Sequence, residues 1–229
     1  ELYWMLVNAA SREVTLEKLM QQSKKELDQF QEFLKLWIDY LGQRGDRVAE
    51  RFLEEAVSLA DDPGALLCAA RKYTDLHPGL YVQALEKYKA AGQPEEGLTI
   101  GKEALERIRP CYQIRSRAAL LTAEAALTQN DRESAEQCWL EAFRSDSSIE
   151  NYLRLVLECE EADRYRNEAE QIYTKLLSNP AKIKDGQYQS GERKENRPER
   201  RTCGSLLFFD GKFRQVIETC MDDKYALGW

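Results

Sequence analysis

Residues 116–148 constrain this chain more than any other stretch. Apolar and small residues recur there with the three- and four-residue spacing of an amphipathic helix, first over 116–129 and again over 132–144. Asn130-Asp131 separates the two runs and supplies the turn chemistry. Each run exposes one apolar stripe. A hairpin of this size cannot bury both stripes against itself, so it must stack on neighbouring hairpins. A chain built this way folds as a layered helical array, in which each layer leaves part of its surface to solvent.

The composition agrees with such an array. The 229 residues are 43% apolar and 32% charged, with a net charge of −7, and the mean hydropathy is −0.62. Thin helical layers carry much solvated surface, so charged residues run above the usual share. No apolar run approaches the length of a membrane span. An acidic chain lacks the clustered Lys and Arg needed for a general phosphate-binding surface, which argues against nucleic acid as the main partner. One segment departs from the average: residues 181–201 hold seven basic and four acidic side chains. It reads as a solvated basic linker or loop between a helical array over 1–180 and a further helical hairpin over 202–229. The six cysteines, Cys68, Cys111, Cys138, Cys159, Cys203 and Cys220, are widely spaced and form no CxxC pair. They are expected to be buried thiols in a reducing cytoplasm rather than a disulfide framework. The chain opens on Glu1 and closes on Gly228-Trp229, which reads as a segment of a larger protein.

The remaining punctuation predicts helices over 16–41, 47–59, 65–73, 80–91, 95–109, 149–160 and 167–177, in addition to those at 114–129 and 132–144. Residues 2–10 read as the end of a preceding helix. Thr15 is placed to cap the helix beginning at Leu16. Breaks fall at 42–46, 61–64, 75–79, 92–94 and 163–166. Residues 206–209 suit either a short buried strand or a helix followed by Asp210-Gly211. The expected fold class is all-α.

These hairpins resemble the tetratricopeptide repeat, a 34-residue helix-turn-helix unit. In 116–148, Ala123, Ala135 and Ala142 are the small contact residues, Asn130 is the turn and Trp139 is the large apolar residue of the second helix. Ala119, Ala126 and Ser147 depart from the pattern. In 78–110, Tyr81, Tyr88, Gly92, Gly97 and Ala104 match, and Leu85 replaces a small residue. Degenerate copies involve Ala49 and Ala56 after Gly45-Asp46, then Leu153, Ala169, Tyr173 and Pro180, and finally Gly204, Gly211, Phe213, Val216 and Cys220. The resemblance implies an irregular α-α superhelix of stacked antiparallel helix pairs, whose concave face takes a protein or peptide. It implies a groove lined by the first helix of each pair: Val82, Glu86 and Lys89, then Arg117, Leu120, Glu124 and Leu127, then Asn151, Arg154, Glu158 and Glu161. These side chains carry both charges with an acidic tilt, which suits a weakly basic or mixed peptide.

Catalytic patterns are missing from the sequence. His77 is the sole histidine and precedes Pro78, where a capping or solvent-exposed role is expected, so no Ser-His-Asp or Cys-His set can be assembled. Neither GxGxxG nor GxxxxGK[ST] occurs, and no pair of Cys or His has zinc-ligand spacing. The expectation is a non-enzymatic scaffold without cofactor or metal. Two alternatives remain: a structural array positioning a catalytic or zinc-binding domain outside this stretch, and a nucleic-acid adaptor acting through 182–201. Trp4, Trp37, Trp139 and Trp229 are expected to pack in the core rather than line a groove.

Overall fold

The computed structural model describes residues 3–5, 15–18, 29–60, 63–178, 192–196 and 200–220. Among them the secondary structure is all-α, with one isolated antiparallel bridge and no strand. The chain divides into two compact units, Glu1–Ala84 and Leu85–Trp229.

In the first unit, α1 (Phe30–Gly42) packs on α2 (Arg47–Leu59) and α3 (Pro63–Tyr73). Leu34, Trp37, Ile38 and Leu41 of α1 meet an apolar set that includes Phe52, Leu53, Ala56 and Val57 of α2, all buried. Asp46 caps α2, its carboxylate accepting the amides of Val48 and Ala49 at 3.2 and 3.0 Å. Burial would raise the Asp46 carboxyl, but hydrogen bonds from Tyr3 and those amides, with Arg44 nearby, hold it below the usual range. Gly42 is required by close approach. A Cβ there would fall 2.7 Å from Cγ of Tyr73, whose hydroxyl donates to Asp39 at 2.5 Å. Thr15 does cap, accepting the Lys18 amide at 3.1 Å.

The helix expected over 16–41 is not continuous. Gln29 adopts φ 62°, a left-handed conformation that α-helical propagation does not tolerate, and α1 begins after it. His77, in the turn before α4 (Gly79–Ala90), is buried, so the solvent-exposed role fails; the capping role stands in its backbone, whose amide donates to the Tyr73 carbonyl at 2.8 Å and closes α3. Trp4 is exposed, whereas Trp37 is buried as expected. Trp229 lies outside the described residues.

α4 runs across the division between the units. The second unit continues with α5 (Pro94–Arg107), α6 (Ile114–Thr128), α7 (Arg132–Ser145), α8 (Ile149–Glu158), α9 (Ala162–Leu177), α10 (Arg200–Phe209) and α11 (Phe213–Cys220). The α6–α7 pair makes the most extensive contact, followed by α5–α6. Small residues allow it: Ala119, Ala123 and Ala126 of α6 and Ala135 and Ala142 of α7 are fully buried. Trp139 and Phe143 then fill a core that reaches Tyr152, Leu155, Tyr165 and Tyr173. Asn130 turns the chain at φ 59°, and Asp131 caps α7 by accepting the Ser134 amide. On the other side of α6, Gly101 lies so close that a Cβ would come within 2.6 Å of Thr122 Cγ2.

α9 starts at Ala162, so the expected break at 163–166 is instead helical, with Tyr165 buried in the core. The turn is Cys159-Glu160-Glu161, and it carries no glycine or proline. Residues 206–209 are helical, within α10. Asp210 then anchors the α10–α11 hairpin on α8 and α9, accepting the hydroxyls of both Tyr152 and Tyr173. Burial first, and these bonds second, push both tyrosines well above the usual tyrosine range.

Candidate functional site

The end of α4, the turn after it and the C-terminal half of α6 enclose a concavity of about 310 Å³. Its shape follows from local sequence. Gly92 takes φ 66°, and the Gln93 amide returns to the Tyr88 carbonyl at 3.0 Å, which reverses the chain within three residues. Pro94 then opens α5. At Gly97, α5 lies against both neighbours at ordinary contact distance: a Cβ there would sit 3.6 Å from that of Ala125 and 3.9 Å from that of Tyr88. The Gln129 side-chain amide donates to the Pro94 carbonyl at 2.8 Å and ties the turn to the end of α6.

Leu85, Pro94, Gly97, Leu121 and Ala125 make the lining mainly apolar, with Gln93 and Thr128 at its edge. Lys89 and Glu124 also line it and form an ion pair with each other. One turn earlier on α4, Arg117 Nε donates to Glu86 Oε1 at 3.0 Å. These four charged side chains are between 42% and 64% exposed, so each pair is worth at most about 1 kcal/mol. A ligand can therefore open them at small expense.

The groove residues implied by the repeat pattern have different fates. Glu86, Lys89, Arg117 and Glu124 come together as the two ion pairs. Leu127 is 38% exposed on α6, whereas Leu120 is half-buried and packs against the core. Val82 is buried. Asn151 is also buried, its amide donating to Ser116 Oγ at 3.1 Å and to the Asp146 carbonyl at 2.9 Å, which holds α8 to α6. Arg154 donates to Asn151 at 3.1 Å and lies 3.9 Å from Glu158, while Glu161 pairs with Arg164 at 2.9 Å. The pattern missed Leu85, Leu121, Ala125 and Thr128. On α6, Leu121, Glu124, Ala125 and Thr128 follow i, i+3, i+4, i+7 spacing, a signal present in the sequence.

Neither Cys138 nor Cys159 resembles an activated nucleophile. Burial pushes Cys138 up to about 11 and Cys159 up to about 12, the opposite of what thiolate chemistry requires. Cys203 is buried too, but Cys68 and Cys111 are exposed, contrary to expectation. Among the described residues no group of three or more His, Cys, Asp or Glu could hold a metal ion, and no helix is long and apolar enough to cross a membrane.

Part of the basic segment is built into the second unit. Residues 192–196 lie beside the α5–α6 connection, where Tyr112 and Glu195 form an antiparallel bridge. Arg200 and Arg201, expected in the linker, instead open α10, and 181–191 and 197–199 lie outside the described residues. Comparisons with protein-family models, with curated proteins and with solved structures find no match.

Proposed function

We propose that the second unit is a non-catalytic peptide-binding scaffold whose ligand enters the concavity between α4 and α6. The observation that carries this reading is the pairing of an apolar lining (Leu85, Pro94, Gly97, Leu121, Ala125) with a loosely held Lys89–Glu124 pair. Such a site accepts one bulky apolar side chain, and it offers a cation and an anion to the flanking peptide. The matching ligand is a peptide of mixed charge around an apolar anchor. We read α4–α9 as three helix-turn-helix units of the tetratricopeptide kind. Their first helices begin at Gly79, Ile114 and Ile149, and the small contact residues of the middle unit are fully buried. The wide spacing of the cysteines, with no CxxC pair, supports a reducing, cytoplasmic setting.

The test is selection from a displayed random-peptide library, followed by anisotropy titrations against the wild-type chain and Leu121→Arg. The expected peptides share an apolar anchor between charged residues. Leu121→Arg should weaken them by roughly tenfold or more, equivalent to about 1.4 kcal/mol, with unchanged helical circular dichroism. Peptides that bind both proteins equally, or a library that yields none, would overturn the reading.

A further inference from the structure

The segment 194–196 is held the way a bound peptide is held. The Gln113 amide donates to the Lys194 carbonyl at 2.7 Å, and the Asn196 amide donates to the Cys111 carbonyl at 2.6 Å. These two bonds flank the isolated Tyr112–Glu195 bridge, so the segment runs antiparallel beside the 111–113 edge. Asn196 then enters a buried polar notch at the end of α7. Its side-chain amide donates to the Arg144 carbonyl at 3.0 Å and to Ser147 Oγ at 3.1 Å, and its side-chain oxygen accepts the Ser147 amide at 3.3 Å. The Arg144 carbonyl belongs to the last turn of α7, where carbonyls lack helical partners.

This notch has the donors and acceptors of an asparagine reader. It needs two N–H donors and one acceptor on a side chain of this length. Aspartate has the same shape but turns an oxygen toward the Arg144 carbonyl, which repels it. The receiving surface is also organised by bonds that do not involve the segment. Gln113 reaches Asp146 at 3.3 Å, Ser147 Oγ donates to the Phe143 carbonyl at 3.1 Å, and Asn151 holds the Asp146 carbonyl at 2.9 Å.

We propose that the 111–113 edge and the α7–α8 turn form an addition site for extended peptides that carry an asparagine, kept closed in the resting chain by its own residues 194–196. Main-chain pairing supplies affinity and the notch supplies specificity. The site is separate from the concavity between α4 and α6. Tethering gives the internal copy an effective concentration on the order of millimolar, so an external peptide binds measurably only once that copy is weakened.

The experiment uses the full chain carrying Asn196→Asp and a fluorescein-labelled synthetic peptide with the sequence of residues 190–198. Anisotropy should show the peptide binding the variant at least about tenfold more tightly than the wild-type chain. The same peptide with aspartate in place of asparagine should fail to bind, and adding Leu121→Arg to the variant should change nothing. Equal behaviour of the two peptides towards the variant, including no binding of either up to about 1 mM, overturns the proposal. If Asn196→Asp lowers the helical signal, native-state hydrogen exchange of the wild-type chain decides. Amides of Gln113 and Asn196 should then exchange at least about tenfold faster than those of central α6 and α7, because a latch opens without global unfolding. Exchange in step with those helices overturns it.

Discussion

The two ends of α6 are built on opposite terms. At its first turn, Arg115 is buried with every interaction directed inward: Nε and Nη2 donate to the Leu105 carbonyl at 3.1 and 3.0 Å, and Nη1 donates to Ser145 Oγ at 3.0 Å and meets Glu141 at 2.7 Å. Ser116 joins the same end to Asn151 of α8. At the other end, Glu124 and Thr128 face an open concavity, and the charges pair outward in solvent. A buried polar group without its partner forfeits its full desolvation cost, so the first end can hardly vary. Solvated pairs can be exchanged with little penalty, so the second end is where recognition can be changed without disturbing the fold.

Mutation should expose this asymmetry. The largest effect is expected for Arg115→Met, which leaves the Leu105 carbonyl and Ser145 without their donor and Glu141 without one of its two arginine partners. It should lower stability by about 3 kcal/mol, read as a shift in the urea midpoint followed by circular dichroism.

A second buried polar junction sharpens the comparison. Asp210→Ala removes the acceptor of both Tyr152 and Tyr173 and should lower stability by about 1–3 kcal/mol. Because both hydroxyls have raised folded-state values, their contribution is complete below the ordinary tyrosine range. It is lost as pH rises above that range through the folded values. Alkaline absorbance titration should therefore show Tyr152 and Tyr173 in a late phase, behind Tyr3, Tyr73 and Tyr165, which burial also raises. Asp210→Asn should bring that late phase to lower pH, since it removes a charge that opposes ionisation.

The smallest effect belongs to the outward pairs. Arg117→Gln should change stability by less than about 1 kcal/mol, and the difference should shrink further in about 1 M salt. A loss as large as that of Arg115→Met would erase the distinction between the two ends.

The same contrast governs what could be read from sequence. The helix over 47–59 was legible because the glycines at 42 and 45 mark the break before it and its apolar residues hold one face. The hairpin at 116–148 was legible because its alanines keep helical spacing and Asn130 marks the turn. The break at Gln29 carried no glycine or proline, so periodicity ran through it. The turn 159–161 was equally unmarked, while the polar run at 163–166 imitated a loop. On α6, the repeat pattern placed the groove on Leu120 and Leu127. The wall of the concavity is one residue on, at Leu121 and Thr128, a rotation of about 100° on a helix. The 194–196 latch left no apolar trace, since it is made of backbone bonds and one amide.

Amide chemical-shift mapping with a selected peptide decides whether the concavity between α4 and α6 receives a peptide. Shifts should concentrate at Lys89, Gly92, Gln93, Gly97, Leu121, Glu124, Ala125 and Thr128, with Gln113 and Asn196 unmoved. Shifts confined to the 111–113 edge, or spread evenly over the second unit, would contradict binding there.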